Sequence, residues 1–145
     1  MKRRLALDTS VLTSIVNSDD SLHQPCYQFF REHHDDDTAI WVVPGLIVFD
    51  FQATQSRRYR EFHPDRKTVF RDAPLYEDRC ELYDLSKEFL WKVGDLRLYD
   101  RFGNLKGPDL VYACIAKVEG IPLVTHDNQF NQYRDDIDLI NPCDR

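Results

Sequence analysis

The stretch LALDTSVLTSIV, residues 5–16, carries one acid, Asp8, at the end of an apolar run. Residues 3–8, RRLALD, have the make-up of a short buried strand, whereas Val11, Leu12, Ile15 and Val16 recur at helical spacing. A chain that ends a buried strand on a charge and restarts at once as a helix has two reasons to do so. The acid caps the helix, as aspartate commonly does. Otherwise it stands at the carboxyl end of a parallel strand, where open sheets place their ligands.

Working outward, residues 39–44, AIWVVP, form a continuous apolar run bounded by proline, as expected of a strand buried on both faces. Between these strands, SDDSLHQPCYQFFREHHDDD predicts a helix capped by Ser21, with Leu22, Tyr27, Phe29 and Phe30 on its buried side and Asp35–Asp37 at its solvated end. After the second strand, a helix is expected from Leu46 to about Tyr59. RCELYDLS suggests a third strand from Cys80 to Leu85, and Ser86 is placed to cap the helix KEFLWKVGDLRLYDRF. The loop GNLKGP then leads into DLVYACIAKVEG, a helix with Gly120 near its C-terminal end. IPLVTHD is a strand ending on a second acid, Asp127, and residues 138–142, DLINP, look like a last short strand. HPDRKTVFRDAPLYED fits loop and helix extension equally. Trp41 and Trp91 both sit in apolar patterns that read as core. Strands alternating with helices predict a three-layer α/β/α sandwich with a mainly parallel central sheet.

The 145 residues suit one domain spanning 1–145 with a sizeable core. No apolar run approaches the roughly 20 residues that cross a bilayer, and Asp8 interrupts what would otherwise resemble a signal peptide after MKRR. Cys26, Cys80, Cys114 and Cys143 are scattered without a CxxC or Cys/His pattern, which argues against structural zinc and for reduced thiols in a cytoplasmic protein. A formal net charge of −6 argues against nucleic-acid binding by bulk electrostatics. It leaves room for a nuclease, which needs only a local acidic pocket and a nearby basic strip.

Four acids are candidates for such a pocket. Asp8 and Asp127 follow strands, Asp50 lies on the helix after WVVP, and Asp109 opens the helix after NLKGP. Converging carboxylates repel, so a fold tolerates them when a cation or proton compensates. Oxygen-only donors favour Mg²⁺ or Mn²⁺, and such a site supports attack of water on a phosphodiester. Each acid also has a plainer reading: Asp8 and Asp109 as helix caps, Asp127 as a turn residue, Asp50 as a solvated helix acid.

In combination and order, LALDTSVL, VVPGLIVFDFQAT and GPDLVYACIAKVEGIPLVTHDNQF resemble the PIN domain, in particular the VapC-type toxins of toxin–antitoxin pairs. The resemblance covers nearly the whole chain and is weakest between about residues 60 and 80. It implies a metal-dependent endoribonuclease with Asp8, Asp109 and Asp127 facing the metal, and Thr9, Ser10 and Thr125 as hydroxyls that orient a carboxylate or water. It also implies an antitoxin partner and a homodimer, with no membrane association. One departure is plain. The family usually has glutamate on the helix after the second strand, and here Asp50 stands there, shorter in reach by about one C–C bond.

Arg57, Arg58, Arg60, Arg66 and Lys67 interleave with Tyr59, Phe62 and His63. Arginine forks to phosphate and aromatic faces stack bases, so Arg57, Arg58, Arg60 and Lys67 make an RNA-guiding strip; a solvated basic helix end is the alternative. EHHDDD, 32–37, reads as a solvated helix terminus. Haloacid dehalogenase-type phosphatases need a second acid two residues after the first, where this chain has Ser10. Receiver domains need a lysine after a late strand, which PLVTHD lacks. The competing non-enzymatic reading is a PIN-like module that binds RNA or protein, with Asp50 marking an impaired site.

Overall fold

The computed structural model describes residues 2–62 and 79–144. Among the described residues, five strands, β1 (Arg3–Leu7), β2 (Ala39–Pro44), β3 (Cys80–Tyr83), β4 (Leu123–Val124) and β5 (Leu139–Ile140), form one sheet in the order β3-β2-β1-β4-β5. Every neighbouring pair is parallel. The helices among the described residues are α1 (Thr9–Val16), α2 (His23–Asp35), α3 (Gly45–Phe62), α4 (Lys87–Asp95), α5 (Leu98–Arg101) and α6 (Pro108–Glu119), with a 3₁₀ segment at Asn128–Tyr133. The expected α/β/α sandwich is observed, and its sheet is parallel throughout.

Side chains alternate across the strands. Leu5, Leu7, Trp41, Val43 and Val124 meet Val11, Leu12 and Ile15 of α1 and Phe29 and Phe30 of α2 on one face. Ala6, Val42 and Leu123 meet Phe89, Val93 and Tyr112–Ala116 from α4 and α6 on the other. Two covered faces explain why AIWVVP is apolar without alternation. Burial of each such Leu, Val or Phe is worth about 1.5–3 kcal/mol. Across the β3 edge, Arg4 of β1 binds Glu81 at 2.6 Å and Glu119, the last residue of α6, at 3.3 Å. Tyr83 donates to the other Glu119 oxygen at 2.5 Å.

Several local expectations are corrected. Ser21 does not cap α2: Leu22 occupies the cap position, and its N–H donates to the Asp20 carboxylate at 2.9 Å. Tyr27 is exposed, while Cys26 takes the buried place beside Phe29 and Phe30. Trp41 is core, but Trp91 is 68% exposed, because α4 buries Phe89 and Val93 on the opposite side. The single helix expected after Ser86 is broken where Arg97 adopts φ 55°, a left-handed turn between α4 and α5. Ser86 does cap α4, accepting from Phe89 N–H at 3.1 Å. Among the described residues, no helix is long and apolar enough to cross a membrane.

Because β2 and β3 lie to one side of β1 and β4 and β5 to the other, the chain reverses its winding between β1 and β4. In open parallel sheets the crevice at such a switch point, outside the strand carboxyl ends, is where ligands bind.

Candidate active site

Asp8 stands in that crevice. Its N–H donates to the Val124 carbonyl at 3.0 Å, joining the end of β1 to β4. Its own carbonyl accepts from Val11 and Leu12 and starts α1. The residue holds the cap position with extended backbone, yet its side chain makes no capping bond. The carboxylate, 2% exposed, serves something else. Ser10 Oγ donates to Oδ2 at 2.8 Å and Thr125 Oγ1 donates to the same oxygen at 2.7 Å. Thr9 Oγ1 lies 3.5 Å from Oδ1, which is therefore the less engaged oxygen.

Thr125 also accepts the Asp127 N–H at 3.0 Å, so one buried hydroxyl fixes both strand-end acids. Asp127 accepts from Gln129 N–H at 3.0 Å, which begins the 3₁₀ segment. The turn reading of Asp127 is thus correct for one of its oxygens. The second, Oδ2, accepts from Gln129 Nε2 at 3.0 Å, and that same nitrogen reaches Asp109 Oδ2 at 3.4 Å.

Asp109 enters from α6. Gly107 takes φ 53° and ψ −129°, a conformation that side-chain-bearing residues rarely adopt. Pro108 then opens the helix, where its missing N–H costs nothing. Asp109 follows inside the first turn and caps nothing. Burial, then the negative charges of Asp8 and Asp127, push its pKa up, with the Gln129 amide pulling the other way. Asp8, Asp109 and Asp127 therefore share one field. No lysine or arginine forms an ion pair with any of them among the described residues. One helical turn on, the Tyr112 hydroxyl is buried near Asp8 and Asp109, with the Thr9 side chain beside it.

Asp50 is separate. It is exposed on α3 and has no hydrogen bond to the other acids among the described residues. It borders a cleft of about 250 Å³ whose wall includes Thr9, Thr54, Arg58 and Pro108, so it faces the flanks of Asp8 and Asp109. Among the described residues no three His, Cys, Asp or Glu side chains are grouped to hold one metal ion.

Of the basic strip, Arg58 lines the same cleft and binds Asp19 at 2.5 Å. Arg57 donates to Thr54 at 3.3 Å, and Arg60 is exposed. Lys67, with His63 and Arg66, lies outside the described residues.

Three participants escape a reading of the sequence: Gln129, Tyr112 and His126. His126 Nε2 lies 3.1 Å from both the Ser10 carbonyl and Ser14 Oγ, tying the loop after β4 to α1. Only Tyr112 leaves a trace in the sequence, three residues after Asp109 and so on the same face of α6.

A family model described as PIN domain matches residues 5–136. The chain belongs to the PIN domain family. PIN domains are generally nucleases. This PIN domain is similar in fold to a chain in the crystal structure of VapBC2 from Rickettsia felis bound to a DNA fragment from their promoter, with a TM-score of 0.64. The two are 18% identical, over 95% of this chain and 98% of that one. No curated protein sequence matches.

Proposed function

We propose that this PIN domain is a divalent-metal-dependent endoribonuclease and the toxin of a toxin–antitoxin pair. The observation that carries the reading is the Asp8 carboxylate: buried, held by two hydroxyls, its charge felt with that of Asp127 at Asp109, and paired with no cationic side chain among the described residues. A fold keeps such a set where a cation completes it.

The donor chemistry fits Mg²⁺ or Mn²⁺, hard ions bound through one or two carboxylates with several retained waters. Such an ion does not require three protein ligands in contact. Asp8, Asp109 and Asp127 would hold it, and when bound it supplies charge stabilisation at phosphate and a more acidic water. Ser10 and Thr125 fix the Asp8 plane through Oδ2, and Oδ1, with only the 3.5 Å contact from Thr9 Oγ1, is the oxygen left for the ion. Thr125 sets the spacing between Asp8 and Asp127 by bonding to both. Arg58 would take a substrate phosphate once RNA draws it from Asp19, with Arg57 and Arg60 continuing the strip along α3; Lys67 belongs to the same proposal and lies outside the described residues. Attack of water at phosphorus with departure of the 3′ oxygen leaves a 5′-phosphate and a 3′-hydroxyl.

The VapBC2 neighbour supports an antitoxin partner for this chain as well. An apolar groove beside Asp50, lined by Leu46, Phe49, Leu85 and Val111, suits an antitoxin segment. A homodimer and a cytoplasmic location complete the proposal.

The test is cleavage of total cellular RNA by the purified, antitoxin-free chain with Mg²⁺, Mn²⁺ or a chelator. Discrete fragments bearing 5′-phosphates that vanish with the chelator are expected. Absence of cleavage by folded protein with either ion supports the binding-module reading instead.

Asp50 yields a graded prediction. Its carboxylate borders the cleft but bonds to none of the other acids, so one more methylene brings it nearer to them. Asp50→Glu is expected to raise the cleavage rate on the order of fivefold and Asp50→Ala to lower it by a similar factor. Initial rates at fixed Mn²⁺ measure both. Equal rates in all three proteins would remove Asp50 from the site.

A further inference from the structure

Gln129 has a role that neither the acid set nor the hydroxyl cradle accounts for. Its backbone N–H donates to Asp127 Oδ1 at 3.0 Å, which anchors the residue. Its side-chain nitrogen donates to Asp127 Oδ2 at 3.0 Å and reaches Asp109 Oδ2 at 3.4 Å. One amide NH₂, the positive end of a dipole, thus lies between carboxylates carried by two different elements. Gln129 is exposed, so its side chain has somewhere to go.

We propose that the Gln129 carboxamide is a built-in stand-in for the cation, holding Asp109 and Asp127 in register in the metal-free chain and swinging out when a divalent ion binds between them. The inference rests on the metal-site reading above and adds a regulatory property to it. Metal binding competes with an internal donor, so apparent affinity is reduced by the fraction of chains in which the amide is seated. Hydrogen bonds to ionised carboxylates are stronger than neutral ones, which gives the seated state a measurable population.

The test is calorimetric titration of Mn²⁺ into the metal-free full chain, with thermal melts of both states. Gln129→Met keeps length and volume but removes the amide. It is expected to bind Mn²⁺ about three- to tenfold more tightly, to melt lower without metal, and to gain more in Tm when Mn²⁺ is added. Gln129→Lys places a tethered charge in the same position. It is expected to melt higher without metal and to lose at least about tenfold in Mn²⁺ affinity.

If wild type binds Mn²⁺ and Gln129→Met binds it equally well, the amide is a bystander and the proposal fails. Weaker binding by Gln129→Met makes Gln129 a ligand, which also overturns it. If wild type and both variants bind no Mn²⁺, the metal-site reading itself is lost and the stand-in with it.

Discussion

Asp8→Asn is expected to reduce metal-dependent RNA cleavage about a thousandfold or more, equivalent to roughly 4 kcal/mol of transition-state stabilisation. Asparagine has nearly the same shape, and its amide oxygen still accepts from Ser10 and Thr125. What it loses is the charge, and it turns an NH₂ toward the crevice where Oδ1 had been. Thr9, 3.5 Å from that oxygen, still has its own hydroxyl to reorient. The fold should survive, because the backbone bonds that start α1 and join β1 to β4 do not involve the side chain. Removing one of three mutually repelling acids also relieves Asp109, so the metal-free variant should melt no lower than wild type. The measurements are cleavage kinetics with Mn²⁺, calorimetric Mn²⁺ binding and a thermal melt. Loss of cleavage and of Mn²⁺ binding with an unchanged melt places the reaction at Asp8. Full cleavage by the variant would exclude Asp8 and return its burial to a structural cause.

Much of this was legible in the sequence, for identifiable physical reasons. AIWVVP and RRLALD are apolar because both faces of their strands are covered, so pattern alone identifies buried parallel strands. An acid directly after such a run is costly to bury without partners, so its place at the strand end singles it out. Asp109 was legible because glycine and proline mark the turn and first helical position ahead of it.

Other features depend on contacts between distant segments. Nothing near Gln129 announces a bond to Asp109, twenty positions away. His126 likewise reaches back to Ser10 and Ser14. The reading of Trp91 as core fails for a local reason: its apolar neighbours suggest burial, but Phe89 and Val93, four apart, define the buried stripe of α4 and leave residue 91 on the far side. The break at Arg97 arises from a left-handed backbone at a residue that does not signal one. Asp50 shows a further limit. Sequence places it on the correct helix, but only side-chain position reveals that it borders the cleft without joining the other acids.

Thr125→Val is expected to cost about 1.5–3 kcal/mol of stability and to lower cleavage about 10- to 100-fold. Valine matches threonine in shape, so the change removes a hydroxyl and little else. That hydroxyl is 4% exposed with its residue, donates to Asp8 Oδ2 at 2.7 Å and accepts the Asp127 N–H at 3.0 Å. Its loss leaves a buried carboxylate oxygen with one donor instead of two and a backbone N–H without an acceptor. Unsatisfied buried groups cost more than the net worth of the bond removed, and a charged partner raises that cost. The catalytic loss has a different origin. With Thr125 gone, Asp8 and Asp127 no longer share a fixed reference, and small displacements of reacting groups are costly to rate. Thr125→Ser separates the two effects, since it keeps both bonds and deletes only a methyl. It should retain most cleavage while giving up part of the stability. Urea unfolding and cleavage kinetics on the three proteins measure this. If Thr125→Ser loses activity as fully as Thr125→Val, the methyl packing matters rather than the hydroxyl, and the single-hydroxyl link between the strand-end acids is not what aligns this site.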